Sequence, residues 1–168
     1  DPKVIYDPHD GKWVMVWLHG STPASSKILV SVSDDSDPNG TWYNWAIPAN
    51  LNGTTTSTNW SDYQGVGFDE DYLYITSNQF NSTGSFQYAR IKIIPKSELY
   101  SGSAGTLSWQ DIWNIKSLDN ENIFGIRPAR MYETGSAYYL INRSDFVTGT
   151  YIGLYKLATP AMTLTTVK

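Results

Sequence analysis

One pattern occurs three times in this chain and constrains its fold more than any other feature. Each copy has an apolar start, an aromatic–acidic pair at a turn, and then a run rich in aromatic residues. The pairs are Tyr6-Asp7, Phe68-Asp69 and Tyr132-Glu133, so the pattern returns after 62 and then 64 residues. A long repeat filled with short strands is typical of a propeller-like array. The sequence therefore predicts an all-β fold, a β-propeller-type array of about three four-stranded blades.

Turn residues divide each copy into about four strands. The predicted blades cover about residues 1–50, 62–112 and 127–168 of a single propeller segment. The expected strands are, in chain order, 3–7, 12–19, 27–33, 41–47, 65–69, 72–78, 85–94, 106–112, 128–132, 137–142, 150–157 and 162–167. The stretch "IPKSELYSG" has Pro near its start and Gly at its end, which predicts a short helix. Residues 48–62 are expected to form a polar loop.

Two of the expected strands differ in their pattern of apolar residues. The run from Trp13 to Leu18 is apolar on both faces, which predicts a central strand covered by neighbouring blades. Trp13 and Trp17 are therefore expected to be packing residues. The strand at 85–94 alternates between apolar and polar residues, as a strand nearer the rim does.

A three-bladed array raises the question of closure, since propellers close with about four or more blades. An open array exposes two apolar blade faces, which a soluble monomer tolerates poorly. We therefore expect one of two arrangements. Either copies of the chain join, for example as two halves of a ring with two-fold symmetry, or the chain is a segment of a longer one.

Composition narrows the class of protein. Aromatic residues make up 14% of the chain and charged residues only 17%, which favours strands and an extracellular surface. The net charge of −4 argues against a nucleic-acid partner, which needs a basic face. No apolar run is long enough to span a membrane. The absence of Cys excludes disulfides and Cys-ligated metals.

Five Asn-x-Ser/Thr sequons bear on localisation, and they begin at Asn39, Asn52, Asn59, Asn81 and Asn142. A secreted glycoprotein is one interpretation of this number. The other is that Asn followed by Gly or Ser is ordinary turn chemistry. Both interpretations stay open, and we expect an extracellular protein, either secreted or held at the cell surface.

Several stretches resemble a group of secreted, mostly bacterial β-propeller proteins of poorly characterised function. "DPKVIYDPHDGKWV", "SDDSDPNGTWYNWAIPA", "DYQGVGFDEDYLYITSNQF" and "IPKSELYSG" are similar to the group's DPxVxYD, SDPxGxW, DYPxxGxD and IPKxxLxxG patterns. The resemblance covers residues 1–102 well and the remainder more loosely, and Gln64 stands where the group has Pro. It implies a propeller fold and secretion, and it implies no activity. Members of the group are longer than this chain, which implies a fragment or an assembling half.

The turn from Ser33 to Trp42 also resembles the Asp-box of sialidase-like propellers. Gly40, Thr41 and Trp42 match that motif, whereas Pro38 stands in place of its Asp. An Asp-box is a structural turn, so the resemblance does not imply hydrolysis.

The best candidate for a ligand site is the central funnel, where the segments that enter the innermost strands converge. Asp1, "DYQ" at Asp62, Tyr63 and Gln64, and "RPAR" at Arg127 and Arg130 supply its side chains. A carboxylate facing a guanidinium there could bind a sugar or an anion. Alternatively, these charges pair with each other or with backbone and only seal the blade ends.

Two further sites are weaker candidates. Trp60, in the polar loop, is a candidate for stacking on a sugar ring, although aromatic residues also pack between sheets. Asp34, Asp35 and Asp37 lie in an oxygen-rich turn that is either a weak Ca²⁺ site or a solvated acidic turn. No other cofactor is expected.

These observations predict a non-catalytic extracellular binding or structural module that assembles through its blade faces. The expected partners are a second copy or the remainder of a longer chain, and a carbohydrate. The alternative is a carbohydrate-active enzyme, a glycoside hydrolase or a sialidase-like protein, with its site in the funnel. A sialidase-like site would have to be formed by Arg127, Arg130 and Arg143 together with Tyr63, but the spacing of these residues in the sequence does not favour such a site. Two convergent carboxylates in an open funnel would favour the enzyme.

Overall fold

A computed structural model describes residues 2–143, 152–158 and 163–167. These residues form three four-stranded antiparallel sheets, one two-stranded sheet and a single short helix. In each four-stranded sheet every strand pairs with its neighbour in sequence, so each sheet is a simple meander. The architecture is all-β, and the sheets pack face to face in chain order.

The first sheet contains four strands with short turns between them. They are β1 (Lys3–Asp7), β2 (Lys12–His19), β3 (Lys27–Ser33) and β4 (Trp42–Pro48). A two-stranded sheet of β5 (Leu51–Asn52) and β6 (Thr55–Thr56) follows. The predicted polar loop at 48–62 therefore contains a small hairpin and the first residues of the next strand.

Three strands of the second sheet have nine or ten residues, and two of them are buried on both faces along most of their length. Its strands are β7 (Trp60–Phe68), β8 (Tyr72–Phe80), β9 (Phe86–Pro95) and β10 (Gln110–Trp113). The helix α1 (Lys96–Leu99) follows β9 directly, at the position that the sequence predicts. The third sheet contains β11 (Arg127–Pro128), β12 (Ala137–Arg143), β13 (Ile152–Ala158) and β14 (Thr163–Val167). The predicted strand starts at residues 150 and 162 lie outside the described residues.

Two hydrophobic clusters lie between the sheets. Between the first and second sheets, Val14 and Val16 of β2 are fully buried in one cluster with Leu73 and Ile75 of β8. Between the second and third sheets, the rings of Tyr74 and Tyr138 stack with their centroids 3.5 Å apart. Alternate residues of β8 therefore face opposite neighbours, as the two-residue period of a strand requires.

The innermost strands β1, β7 and β11 lie side by side. The Met131 N–H donates to the Phe68 carbonyl oxygen at 2.9 Å, and a parallel bridge joins Phe68 to Arg130. Gly67 permits this approach, since an added Cβ would lie only 2.0 Å from the Ala129 oxygen. The first strands of the three sheets thus form one inner edge, as the strands around the axis of a propeller do.

The outer face of the first sheet belongs to neither hydrophobic cluster, and it is apolar mainly along β1 and β2. We call this apolar part the head face, and its residues are Val4, Tyr6, Trp13, Met15, Trp17 and Leu29; on β3 and β4 the same side carries the polar Ser31, Ser33 and Asn44. The prediction that the Trp13–Leu18 run is covered on both faces is wrong for this side, because both clusters lie on the other side of the sheet. Trp13 and Trp17 are half-buried, and Val4 is 49% exposed.

The outer face of the third sheet is the counterpart at the other end of the array. We call its apolar part the tail face, which consists of Tyr139, Ile141, Ile152 and Leu154; the exposed Arg143 and Lys156 lie on the same side of the sheet. Ile141 is 49% exposed and Ile152 is 66% exposed. Residues on the opposite side of β12, such as Tyr138 and Leu140, are fully buried against the second sheet.

The segment between the first two sheets is tied to β9 by a buried cation. The Arg90 guanidinium is fully buried and donates to the carbonyl oxygens of Leu51 and Ala49 and to Ser61 Oγ. Burial lowers the Arg90 pKa. The strand at 85–94 does lie nearer the rim, because β9 is the third strand from the inner edge, but its polar face is buried since the 49–61 segment covers it.

Candidate functional site

The inner edges of the three sheets border a cleft of about 280 Å³. Its lining comes from β1, β7 and the segment that begins at β11: Lys3, Gln64, Gly65, Val66, Arg127, Pro128 and Arg130. Gln64, Arg127 and Arg130 are residues that the sequence places in the funnel. Lys3 is an addition, because a single Lys near the start of a strand has no distinctive pattern.

A β-bulge in β7 decides which side chains enter the cleft. The pairing of β7 with β8 shifts between Asp62 and Gly65, and Tyr63 adopts a φ of 59°, in the left-handed region. Such a bulge turns the chain so that neighbouring side chains leave the regular alternation. As a result Gln64 is buried at the cleft, whereas Tyr63 is 50% exposed.

Gly65 brings the third sheet close to the bulge. An added Cβ there would lie 2.7 Å from Thr76 Oγ1 and 2.9 Å from Pro128 Cδ. A side chain at this position would therefore push β11 away from β7 and widen the cleft. Glycine is the residue that lets two backbones approach in this way.

Arg127 and Tyr63 hold one another at the rim of the cleft. The Arg127 Nη1 donates to the Tyr63 carbonyl oxygen at 3.0 Å, and the guanidinium carbon lies 4.3 Å from the centre of the Tyr63 ring. The Tyr63 ring in turn contacts Phe124, with centroids 5.6 Å apart. A guanidinium stacked on an aromatic face keeps donors available for an incoming acceptor.

The charge of the cleft lining is positive. Lys3, Arg127 and Arg130 carry cations, and no carboxylate is among the described residues of the lining. In the described part of the chain the ion pairs are Lys92 with Asp111 and Lys96 with Asp7 and Asp10. None of the three cleft cations therefore pairs with a described carboxylate, and the cleft favours an anionic ligand.

Asp62 does not face Arg127 as the funnel hypothesis expects. Its side chain is exposed, and Asp62 Oδ1 accepts a hydrogen bond from the Tyr63 N–H at 2.7 Å. Arg127 bonds to the Tyr63 carbonyl instead. Asp1, the remaining acidic candidate, lies outside the described residues.

Trp60 is the first residue of β7, and the structure gives it a packing role. Its ring stacks on Phe80 with centroids 5.2 Å apart, and its Nε1 donates to the Asn81 carbonyl oxygen at 2.9 Å. It is half-buried. One face of the ring is therefore occupied, and Trp60 lies away from the cleft lining.

The acidic turn at Asp34, Asp35 and Asp37 satisfies its own backbone. Asp35 Oδ1 accepts from the Asp37 N–H at 2.7 Å, and Asp37 Oδ1 accepts from the Asn39 N–H and Nδ2, both at 2.9 Å. The hydrogen bonds from Asn39 lower the Asp37 pKa. Across residues 2–143, 152–158 and 163–167, no group of three or more His, Asp or Glu side chains is arranged to hold a metal ion. A Ca²⁺ site in this turn stays a prediction.

The five sequons differ in how accessible their amides are. Asn59 and Asn142 are buried, and Asn52 and Asn59 both donate from Nδ2 to the Tyr88 hydroxyl. Asn39 is exposed, and Asn81 lies in the β8–β9 turn, where its Oδ1 accepts from three turn donors. Only Asn39 and Asn81 thus present an amide that a glycan can occupy without breaking a buried contact.

A polar cluster that the sequence did not indicate lies where β1 and β7 end. Lys96, almost fully buried, donates from Nζ to Asp7 and Asp10, each at 2.7 Å, and to the Asp69 carbonyl oxygen at 2.8 Å. The Tyr100 hydroxyl also donates to Asp7, and burial raises the Tyr100 pKa. The signal for this cluster was weak, because its members are far apart in sequence. Beside it lies a cavity of about 540 Å³ whose lining includes Asp10, Glu70 and Asp71.

Within the described ranges, no helix is long and apolar enough to cross a membrane. Neither a comparison with protein-family models nor one with curated proteins found a match for the chain.

A comparison with solved structures found a similar fold in a mutant of Trypanosoma rangeli sialidase that displays trans-sialidase activity. The TM-score is 0.57 at 14% sequence identity, and the match covers 99% of this chain and 29% of that one. The chain therefore spans less than a third of the length of that structure. At this level of identity the likeness concerns the fold alone, and it is that of a sialidase-like, β-propeller-type all-β protein.

Proposed function

We propose that this chain is a non-catalytic extracellular binding module of propeller type. It holds an anionic saccharide in the cleft at its inner edge and assembles through its sheet faces. The observation that carries the binding role is the convergence of three cations, Lys3, Arg127 and Arg130, on one cleft to which the part of the chain that the structure describes contributes no carboxylate.

The chemistry of the lining favours an acidic sugar over a neutral one. Guanidinium groups bind carboxylate or sulfate oxygens with short, charge-assisted hydrogen bonds. The cleft volume of about 280 Å³ lies at the small end of ligand pockets, which suits one sugar ring carrying one acidic group. The apolar surfaces of Val66 and Pro128 contact a ring, while Gln64 lies among the polar groups of the same lining.

The same lining gives less support to the enzyme alternative. Most glycoside hydrolases use two carboxyl groups on either side of the bond, about 5 to 10 Å apart, whereas sialidases use a Tyr nucleophile. Among the described residues the cleft lining has no such pair, and Asp62 is exposed at the rim with its Oδ1 bonded to a backbone N–H. Arg143, the third arginine of a sialidase-like set, is also not part of the lining.

A binding measurement with three small probes tests the proposal. Glucuronic acid and N-acetylneuraminic acid are titrated into the protein by calorimetry, with glucose as the neutral probe. We expect affinity for the acidic sugars that falls as salt is added, and no measurable affinity for glucose. Equal affinity for glucose would overturn the anionic role of the cleft.

Matched variants locate the site. Arg127→Gln and Arg130→Gln each remove one charged donor and should weaken binding by about 10-fold or more. Arg143→Gln, outside the lining, should bind as the parent protein does.

The same preparations are incubated with a fluorogenic sialoside and a fluorogenic glucuronide. Steady release of the fluorophore, lost in the Arg127 variant, would contradict the non-catalytic assignment.

A further inference from the structure

We infer that the head face of one copy packs on the tail face of a second copy, so that two copies close a ring through two identical head-to-tail contacts. This inference rests on the part of the proposed function that concerns assembly through sheet faces. It does not depend on the cleft, which is formed within one copy. The argument comes from how the sheets of one chain already pack on each other.

The head face is equivalent to a surface that is buried elsewhere in the chain. Tyr6 pairs with Trp13 in the first sheet, and Phe68 pairs with Leu73 in the second. When the repeated pairs Tyr6-Asp7 and Phe68-Asp69 are aligned, Trp13 corresponds to Leu73. In the same alignment Met15 corresponds to Ile75.

Leu73 and Ile75 are the residues with which the second sheet packs on the first. The head face is therefore the side with which each sheet contacts the sheet before it.

The tail face is equivalent to the opposite side. In the first sheet, Val14 and Val16 face the second sheet, and in the second sheet Tyr74 faces the third. The third sheet buries Tyr138 and Leu140 against the second, so Tyr139 and Ile141 point forward. The tail face is thus the side with which a sheet contacts the sheet after it.

The chain therefore carries one half of a sheet-to-sheet contact at each end. The six head-face residues include no charged side chain, and three of them are aromatic. The tail face offers Ile141, Ile152 and Leu154 beside the ring of Tyr139, and the charged Arg143 and Lys156 flank it on the same side. Aromatic rings packed on branched aliphatic side chains are typical of the contact between two sheets.

A second copy satisfies both faces at once, which favours it as the occupant. Its tail covers the first copy's head, and its head covers the first copy's tail. Such a heterologous contact forms a closed ring when the rotation between copies closes. Two copies give six stacked sheets, which lies within the range of about four to eight blades in known propellers.

Light scattering on the chromatographed protein tests this arrangement across a range of concentrations. We expect a particle of twice the 18.9 kDa chain mass. Trp17→Glu places a charge on the head face, and Ile141→Glu places one on the tail face. Each substitution should raise the dissociation constant of the dimer at least 10-fold, because burying an unpaired charge is costly. Leu118→Glu, at an exposed residue outside both faces, is the matched control and should still dimerise.

Mixing the two variants distinguishes the head-to-tail contact from others. The Trp17→Glu chain keeps an intact tail and the Ile141→Glu chain keeps an intact head, so an equimolar mixture should form pairs that neither variant forms alone. Circular dichroism checks that each variant is folded, and Ile152→Glu replaces Ile141→Glu if that chain does not fold.

Three outcomes would overturn the inference. The first is a monomer at every concentration, which would point to further sheets of a longer chain as the occupant. The second is an Ile141→Glu dimer beside a Trp17→Glu monomer, which would mean that two head faces meet. The third is open-ended polymers. If the assembly inference is overturned, binding of glucuronic acid to the Trp17→Glu monomer shows whether the proposed binding role of the cleft still holds.

Discussion

Gly67 lies where the inner strand of the second sheet passes the inner strand of the third. A Cβ at this position would lie 2.0 Å from the Ala129 carbonyl oxygen and 2.4 Å from the Tyr138 hydroxyl. Neither neighbour can retreat easily, because one is backbone and the other belongs to a buried, stacked ring. One hydrogen atom in place of a methyl group thus sets the distance between two sheets.

Gly67→Ala should therefore lower the free energy of unfolding by about 2–4 kcal/mol, since a side chain forced into a packed site strains its neighbours. Urea denaturation measures the loss. Gly105→Ala is the matched control, because only Ser103 Oγ lies within 4 Å of its added Cβ. A midpoint for Gly67→Ala equal to that of the control would show that the inner strands can separate without cost.

The sequons give a second prediction for single residues. In a glycosylating host, Asn39 and Asn81 should carry glycans, whereas Asn59 and Asn142 should not, because their side chains are buried. Mass spectrometry of tryptic peptides reads the occupancy of each site. Asn39→Gln and Asn81→Gln together should remove all sugar mass from the protein. A glycan on Asn59 would contradict the packing of its amide on Tyr88.

At the scale of secondary-structure elements, the contact of β9 with the 49–61 segment is unusual. Arg90 is buried without a carboxylate partner and is compensated by two carbonyl oxygens and one hydroxyl. Buried charges are stable only when such acceptors surround them. Next to it on the same face, Lys92 pairs with Asp111 at 2.9 Å, and burial lowers the Lys92 pKa to about 8.

Arg90→Met should release the 49–61 segment while leaving the apolar packing of β9 in place. We expect faster hydrogen exchange at residues 49–56 and a loss of about 1–3 kcal/mol in the free energy of unfolding, from the lost charged hydrogen bonds. Arg90→Lys should not restore the slow exchange of the parent protein, because an ammonium group cannot reproduce the planar set of donors of a guanidinium. Arg143→Met, on an exposed side chain, is the control. Unchanged exchange in Arg90→Met would show that the hairpin anchors itself.

Strand order was readable from the sequence because turn residues and alternating apolar residues mark it locally. β1, β2 and β3 begin and end at the predicted residues, and α1 lies within the predicted helix. The start of β7 at Trp60 was missed, because "NWSDYQ" reads as polar loop while its strand character comes from pairing with β8. Burial of Arg90 and Lys92 was missed for a similar reason. Arg90 and Lys92 alternate with the apolar Ala89 and Ile91, a pattern that predicts a solvent-exposed polar face. The 49–61 segment that covers this face is distant in sequence.

The candidate site was only partly predictable. Gln64, Arg127 and Arg130 were identified because the repeat aligns the segments that enter the inner strands. The pairing of Asp62 with Arg127 was wrong, because a one-residue bulge at Tyr63 turns Asp62 outward, and bulges have no reliable pattern in sequence. Lys3 joins the cleft through its position on β1. That contribution depends on how three sheets meet rather than on any local motif.

At the scale of the whole molecule, Tyr74 and Tyr138 are fully buried between the second and third sheets, and Tyr100 is partly buried against the cluster between the first and second. Burial is the largest cause that raises the pKa of Tyr74, Tyr100 and Tyr138, and hydrogen bonds to Asp69 and Asp7 add to it for the first two. The folded protein therefore keeps these protons at a pH where the unfolded chain loses them. The unfolded state then binds fewer protons than the folded state, so the free energy of unfolding falls as pH rises.

The protein should accordingly lose stability above about pH 10, where tyrosines of the unfolded chain ionise. Each buried tyrosine contributes a slope of up to about 1.4 kcal/mol per pH unit. Urea unfolding between pH 9 and pH 11.5 measures the slope. Tyr74→Phe should reduce it by one tyrosine's share, and Tyr132→Phe, at a residue 61% exposed, is the control. A parent protein with flat stability across this range would contradict the prediction.

The two ends of the inner strands carry opposite charge. Among the described residues, Lys3 and Arg127 outnumber Asp62 near the starts of β1, β7 and β11, whereas Asp10, Glu70 and Asp71, in the turns after β1 and β7, outnumber the neighbouring Lys96. This separation gives the molecule an electric dipole along its inner edge, although its net charge is −4. If the proposed binding role is right, we expect the field to turn the cationic end, and with it the mouth of the cleft, toward an anionic surface. The orienting effect fades within about 10 Å at 0.1 M salt, so it acts on the last approach before contact.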